Sequence, residues 1–213
     1  MSRPVRIFLF VTGAIICALS YFFDDSVIAW VGAHPNPAVH SVARFFTKWG
    51  DFPPIVALLF LLILLAGLLR QRSAIPILLR MFGSAVCGGL AANILRVLTG
   101  RARPSAHVPA GWYGLWHHGQ WIAGSYQFSS FPSAHTAVAI ACVAPLWIML
   151  ARRKRLFIAV PATLLALCIA ASRIALNAHH LSDVVTSVWL GILIAQLVDV
   201  KKLPARNKAA HIR

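Results

Sequence analysis

The sequence predicts an all-α membrane protein: a polytopic bundle of about six transmembrane helices with one interfacial helix and an aromatic outer loop. Composition is the first observation behind this prediction. Of the 213 residues, 59% are hydrophobic and only 12% are charged, and the mean hydropathy is +0.75. Soluble domains carry about 25% charged residues. The second observation is a series of apolar runs, each close to the length that crosses a bilayer.

Six apolar runs approach the roughly 20 helical residues that span a hydrocarbon core of about 30 Å. In chain order they are Val5–Phe23, Phe52–Leu69, roughly Arg80–Leu98, Ala134–Leu150, Leu156–Ser172 and Val184–Val200. Two arginines precede the first run, as in a signal peptide, but no small-residue cleavage pattern follows it. We therefore interpret it as a span. We predict one membrane-embedded domain over residues 1–200 and a basic cytoplasmic tail over residues 201–213.

Two segments between the spans have patterns of their own. Residues Pro37–Trp49 place apolar side chains at helical spacing, which predicts an amphipathic helix lying in the interface plane. Trp30 and Trp49 are suited to anchor it at headgroup level. A gate or a docking platform for lipid is the alternative that the sequence leaves open.

The segment Thr99–Phe131 is rich in tryptophan, tyrosine and histidine. Loops longer than about 12 residues are usually functional or disordered, and an aromatic one favours order. We expect a partly embedded cap over a functional site. His117 and His118 are possible metal ligands, but no partner stands at ligand spacing, which favours interface or substrate contacts. His107 and Arg101 are possible additional phosphate contacts.

The net charge of +15 does not indicate a nucleic-acid partner, because its distribution follows the positive-inside rule. With a cytoplasmic amino terminus, 14 of the 20 basic residues fall on the cytoplasmic side. The six on the outer side are Arg44, Lys48, Arg96, Arg101, Arg103 and Arg173. Basic residues that persist there are most simply explained by an anionic ligand. The four cysteines lie in separate apolar runs without metal-site spacing, which indicates packing residues.

Three short motifs at the outer ends of spans combine arginine with histidine. Guanidinium groups match phosphate oxygens, and histidine suits proton or phosphoryl transfer near neutral pH. The motifs are Arg96-x6-Arg103-Pro104, Pro132-Ser133-Ala134-His135 and Ser172-Arg173-x5-His179-x3-Asp183. Together they indicate phosphate chemistry on a substrate carried by a lipid.

The spacing inside each motif suggests a geometry. Arg96 and Arg103 are seven residues apart, which predicts one helical face before Pro104 stops the helix. Ser133 is a plausible N-cap, so the first turn of its helix offers free N–H groups to an anion. Asp183 follows His179 by four positions, which suits a carboxylate that fixes the tautomer of a nucleophilic imidazole.

In this order and position, the motifs resemble the signature of the type 2 phosphatidic acid phosphatase family, Lys-x6-Arg-Pro, Pro-Ser-Gly-His and Ser-Arg-x5-His-x3-Asp. The match covers residues 96–183, and the pattern of spans extends it to nearly the whole chain. Arg96 replaces the usual lysine, which keeps the charge but changes the donor geometry. Ala134 replaces glycine, and it fits if the backbone there is ordinary helix.

The resemblance implies a membrane phosphatase that hydrolyses the phosphate monoester or diphosphate of a lipid. His179 is implied as the nucleophile, Asp183 as its orienting group and His135 as the acid and base. Phosphate is implied to bind Arg96, Arg103, Ser133, Ala134 and Arg173, with no metal and no cofactor. We expect a multi-pass protein of a bacterial inner membrane whose partners are membrane lipids and whose site faces the periplasm.

Several alternatives stay open at this level. A phosphotransferase would pass the phosphate from one lipid to another, and a non-catalytic lipid-phosphate binder or transporter is a further class, which the intact His135, His179 and Asp183 argue against. Vanadate-dependent haloperoxidases share a related site but are soluble, and this composition excludes them. The substrate is open between a polyprenyl diphosphate, phosphatidylglycerol phosphate, phosphatidic acid and lipid A, and so is the oligomeric state.

Overall fold

The computed structural model describes residues 3–198 and is mostly helical over that range. The helices are α1 (Arg3–Tyr21), α2 (Asp24–Ala33), α3 (Pro37–Trp49), α4 (Phe52–Leu68), α5 (Ile75–Thr99), α6 (Ala134–Met149), the single turn α7 (Arg152–Lys154), α8 (Val160–Ala175) and α9 (Leu181–Leu197). A wide turn, Arg155–Ala159, joins α7 to α8. The predicted all-α class is confirmed. The predicted basic tail, 201–213, lies outside the described residues.

Two helical stretches in the described range are long and apolar enough to cross a membrane. They are α5 (Ile75–Thr99) and the continuous stretch Arg152–Ala175, which is made of α7, the wide turn and α8. Two bent pairs raise the number to as many as four: α1 with α2 bends by 52°, and α3 with α4 bends by 53°. Helices α6 and α9 are apolar but shorter. The predicted count of six spans is therefore not confirmed.

The amphipathic helix predicted over Pro37–Trp49 forms as α3 with those bounds. The Asn36 side chain accepts hydrogen bonds from the backbone N–H groups of Ala38 and Val39 at its start, which satisfies two of the donors that every helix start leaves free. Helix α2, which precedes it, was not predicted.

Helix α6 forms the centre of the bundle, packed against α5, α8 and α9. Small residues permit this: a Cβ added at Gly88 of α5 would lie 2.9 Å from the Ala141 Cβ, and one at Gly191 of α9 would lie 2.9 Å from the Ala141 nitrogen. Such close approach is typical of helices that associate inside membranes. The packing brings the amino-terminal end of α6 beside the carboxyl-terminal ends of α5 and α8.

The segment Thr99–Phe131 is ordered by short elements. A two-stranded hairpin pairs β1 (Trp116–His117) with β2 (Gln120–Trp121), and a tight turn spans Tyr126–Phe128. Large aromatic side chains remain exposed, with Trp116 at 60% and Tyr126 at 65%.

Candidate active site

The three motifs converge around the buried imidazole of His179, which is only 2% exposed. Its Nδ1 atom lies 2.6 Å from the backbone carbonyl oxygen of Ser130. A carbonyl oxygen only accepts hydrogen bonds, so Nδ1 carries the proton and donates it. The Nε2 atom of the neutral ring therefore keeps its lone pair. Within residues 3–198 this atom is buried without a hydrogen-bond partner.

Burial lowers the pKa of His179 to about 4, from an ordinary value of 6.5. The positive charges of Arg103 and Arg173 lower the pKa further, whereas Asp183 opposes the shift. The imidazole is therefore neutral at pH 7, as a nucleophile requires. The same interactions place both arginines and the aspartate close to this ring.

Asp183 is fully buried and accepts several hydrogen bonds. Its Oδ1 accepts from Arg101 at 2.6 Å, and its Oδ2 accepts from the Ser130 hydroxyl at 2.5 Å and from the His180 N–H at 2.8 Å. The distance from Oδ2 to the His179 Nδ1 is 3.7 Å. Asp183 thus lies at ion-pair distance from His179. It also accepts from the hydroxyl of Ser130, the residue whose carbonyl is hydrogen-bonded to the His179 Nδ1.

Arg101, which the sequence left open as a phosphate contact, is instead held between two carboxylates. Its guanidinium donates to Asp24 at 2.7 Å and to Asp183 at 2.6 Å, and it also reaches the Ser182 hydroxyl at 2.7 Å. Asp24 accepts in turn from the backbone N–H of Ser182 at 2.8 Å. This network joins α2 to the start of α9 and fixes Asp183. His107, the other open contact, is exposed.

Arg103 reaches the site from a loop, which corrects the prediction that it shares a helical face with Arg96. Helix α5 ends at Thr99 because Gly100 adopts a left-handed conformation with φ of 56°, so Pro104 does not stop it. The Arg103 Nε donates to the Tyr126 carbonyl at 2.9 Å, and the guanidinium carbon lies 4.0 Å from the centre of that ring. Burial lowers the pKa of Arg103, and the charge of Arg96 lowers it further.

Arg173, at the end of α8, is positioned by α3. One of its terminal nitrogens donates to the Thr47 hydroxyl at 2.9 Å, and its Nε is buried without a partner within the described range. Thr47 also lies 3.0 Å from the Ser172 hydroxyl, which donates to the Ile169 carbonyl. Because the Ser172 hydroxyl proton is already donated to Ile169, the Thr47 hydroxyl donates its own proton to Ser172. The Thr47 oxygen then accepts the hydrogen bond from Arg173.

Arg96, Arg103 and Arg173 share one property: in the part of the chain that the structure describes, none forms a salt bridge with a carboxylate. Each donates to a neutral oxygen, which for Arg96 is the side chain of Asn93. Poorly solvated guanidinium groups without counter-charge form a binding site for an anion. Arg101 is the contrasting case, since its charge is neutralised inside the protein.

The amino terminus of α6 completes this group. Ser133 is its N-cap, as predicted, but its side chain makes no cap hydrogen bond and accepts one from the Thr136 hydroxyl at 3.1 Å. Ala134 begins the helix without a left-handed conformation, so alanine fits where the family has glycine. His135 follows in the first turn, with its Nε2 3.4 Å from the Asp51 Oδ1. It lies within electrostatic range of Arg173, Arg103 and His179.

A model of the PAP2 superfamily matches residues 76–201, more than half of the chain. The chain belongs to this superfamily.

Curated relatives and solved structures agree with this assignment. The PAP2 protein described here is 29% identical over 203 residues to a lipid A 1-phosphatase of Rhizobium etli, which covers 88% of this chain and 82% of the relative. A lipid A 1-phosphatase of Rhizobium johnstonii is 31% identical over 119 residues, 54% of this chain and 45% of the relative.

Two crystal structures share the fold of this PAP2 protein. A phosphatidylglycerolphosphate phosphatase of PAP2 type from Bacillus subtilis superposes with a TM-score of 0.62 at 22% identity, over 92% of this chain and 94% of that one. LpxE from Aquifex aeolicus superposes with a TM-score of 0.56 at 19% identity, over 82% of this chain and 93% of that one.

Sequence reasoning missed several residues of this PAP2 site. Asp24, Thr47, Asp51 and Ser130 lie outside the three motifs, and Asp24 is 158 residues from its partner Ser182. One signal was available: three of these are polar residues beside helix ends in an apolar chain that keeps only five acidic residues.

Proposed function

We propose that this protein is a membrane phosphatase that hydrolyses the phosphate monoester or diphosphate of a lipid through a phosphohistidine intermediate. One observation carries the proposal: Arg103 and Arg173, which have no carboxylate partner within the described residues, lie close to a neutral imidazole whose Nε2 lone pair is buried and free, and Arg96 lies within electrostatic range of both arginines. A phosphoryl group bound by the arginines would meet this nitrogen. Arginines that only bound a lipid phosphate, without catalysis, would not require a buried neutral imidazole beside them.

In the first step the His179 Nε2 attacks phosphorus and the bond from phosphorus to the lipid oxygen breaks. His135 donates a proton to the departing oxygen, so the lipid leaves as an alcohol, or as a monophosphate when the substrate is a diphosphate. The Nδ1 proton of His179 stays on the ring and remains hydrogen-bonded to the Ser130 carbonyl. Asp183 stabilises the positive charge that develops on the ring.

In the second step water attacks the phosphohistidine. His135, now neutral, accepts a proton from that water, the phosphorus–nitrogen bond breaks, and inorganic phosphate leaves. Arg96, Arg103, Arg173 and the free N–H groups at the start of α6 stabilise the charge on the equatorial oxygens in both transition states. The chain's own cations therefore supply the charge, without a metal.

The relatives named lipid A 1-phosphatase support a glycolipid phosphate as the first substrate to test. The phosphatidylglycerolphosphate phosphatase that shares the fold supports phosphatidylglycerol phosphate as the second substrate to test. The charge distribution of the sequence supports a bacterial inner membrane protein whose site faces the periplasm.

The decisive experiment measures phosphate release from a panel of lipid phosphates in detergent, with and without a chelator. Wild-type protein should release phosphate in both conditions, and His179→Ala should release none while remaining folded. Release that depends on an added lipid acceptor would identify a phosphotransferase, and binding without release would identify a silent binder.

The role of His135 is tested with two leaving groups. His135→Ala should slow hydrolysis of a lipid phosphate, whose alkoxide leaving group needs a proton, by about 10²- to 10⁴-fold. Hydrolysis of an activated aryl phosphate, whose leaving group needs no proton, should be slowed much less by the same substitution. Equal losses on the two substrates would contradict the acid role.

A further inference from the structure

Asp51 lies at the bend between α3 and α4 and faces the amino terminus of α6. Its Oδ1 accepts a hydrogen bond from the backbone N–H of Phe52 at 2.8 Å, which makes it the N-cap of α4. The same oxygen lies 3.4 Å from the Nε2 of His135. No sequence motif contains Asp51, and capping alone does not require it to face a histidine.

Burial opposes the protonated form of His135, and so do the positive charges around it. Arg173 of α8, Arg103 of the Thr99–Phe131 segment and His179 of the turn before α9 lie within electrostatic range of it, and none of these is negative. Arg96 at the end of α5 lies within electrostatic range of Asp51. The other nearby carboxylate, Asp183 of α9, is already bound to Arg101. In the described residues, Asp51 is thus the one carboxylate at ion-pair distance from His135.

An acid catalyst must carry its proton when the substrate binds. Burial and the surrounding arginines both favour loss of that proton, so His135 acts as an acid only when negative charge compensates: the bound phosphate offsets the arginines, and Asp51 lies against the ring. We propose that Asp51 is a positioning residue of the reaction: its carboxylate holds the proton on the His135 Nε2 until the departing lipid oxygen takes it.

This inference rests on the proposed function, because it assigns a partner to the acid. The proton on Nε2 passes to the lipid oxygen as the phosphorus–oxygen bond breaks, and Asp51 itself neither gains nor loses one. In the second step, the proton that His135 takes from the attacking water is again held against Asp51. Each turnover therefore restores the protonated His135 beside the Asp51 carboxylate.

The substitution Asp51→Asn separates this role from capping. Asparagine is as good an N-cap as aspartate, so α4 keeps its start while the charge is lost. Asp25→Asn is the matched control, since Asp25 is exposed in α2 and loses the same charge. Because half of the Asp51 side chain is exposed, at 50%, solvent screens its interaction with His135. We expect a shift of about 0.5 to 1 pH unit, or about three- to tenfold in the protonated fraction.

Two measurements decide the inference. In ¹⁵N-histidine spectra, with the His135 signal assigned from a His135→Gln sample, the titration midpoint of His135 should move to lower pH in Asp51→Asn and stay in place in Asp25→Asn. The alkaline limb of kcat on a lipid phosphate should move in the same direction, with a smaller effect on an aryl phosphate. An unchanged midpoint in Asp51→Asn would overturn the inference.

The spectra also keep this inference distinct from the proposed function. If wild-type protein releases no phosphate from any substrate, the proposed function fails. The His135 titration then still decides whether Asp51 holds its proton. If wild-type protein is active and Asp51→Asn matches it in pH profile and in the ratio between the two substrates, the role of Asp51 is wrong while the phosphatase stands.

Discussion

The Nδ1 atom of His179 lies 2.6 Å from the Ser130 carbonyl oxygen and 3.7 Å from Asp183. The backbone carbonyl thus accepts the hydrogen bond from Nδ1 and sets the tautomer of the imidazole. Asp183 in turn accepts from the Ser130 hydroxyl at 2.5 Å. One serine therefore links the carboxylate to the imidazole through its backbone.

The first prediction concerns the tautomer of His179. At pH 6.5 the imidazole should be neutral with its proton on Nδ1, and its titration midpoint should lie near pH 4, because burial disfavours the charged ring. Two-dimensional ¹H–¹⁵N spectra of histidine-labelled protein distinguish the tautomers. His34, an exposed histidine outside the site, serves as an internal control. A His179 proton on Nε2 would contradict the geometry.

The second prediction is the effect of His179 on stability at acidic pH. Its pKa is about 4 in the fold and ordinarily 6.5, so the unfolded chain binds the proton first as the pH falls. The contribution of the neutral ring is complete above pH 6.5 and is lost between pH 6.5 and 4, by about 3 kcal/mol in total. The fall in Tm from pH 7 to pH 4.5 should therefore be smaller in His179→Gln than in wild type. Equal falls would count against a neutral buried ring.

The third prediction separates Arg101 from Arg103. Replacing Arg101 with methionine leaves Asp24 and Asp183 buried without their cation, which should cost about 3–5 kcal/mol of stability. Adding Asp24→Asn should recover part of this loss. Arg103→Met should instead keep most of the Tm and weaken the affinity for substrate, since Arg103 pairs with no carboxylate among residues 3–198. Thermal melts and KM measurements on the three variants test this, and similar Tm losses in the two single variants would contradict it.

The fourth prediction is that oxyanions stabilise the fold through Arg173. Vanadate or inorganic phosphate at about 100 times its Kd should stabilise wild-type protein by about 2.7 kcal/mol, because only the folded site binds it. Arg173→Gln removes a guanidinium whose Nε is buried without a partner in the described part of the chain, and should abolish most of the rise in Tm. Arg44→Gln removes the same charge from an exposed side chain and should leave the rise in Tm intact. A full response in Arg173→Gln would place the anion elsewhere.

Several features of this molecule were predictable because they depend on local sequence. The helix Pro37–Trp49 forms with the predicted bounds, since Asn36, Pro37 and the apolar spacing all act within a few residues. Helix α6 also begins directly after Ser133 as predicted, although the Ser133 side chain makes no cap hydrogen bond. The all-α class follows from composition.

Other features depend on the packing of distant helices and left no periodic signal. Arg101 is 77 residues from Asp24, and Thr47 is 126 residues from Arg173. The shared helical face of Arg96 and Arg103 was the wrong expectation, because Gly100 ends the helix before the spacing of seven applies. A single glycine with left-handed geometry outweighed the periodicity.

The central claim, attack of His179 on phosphorus, is tested most directly by trapping the intermediate. Wild-type protein is mixed with a ³²P-labelled lipid phosphate, quenched in alkali and digested. The account predicts a base-stable, acid-labile label on the peptide that contains His179, and none in His179→Ala. Label on another residue, or undiminished turnover of folded His179→Ala, would contradict it.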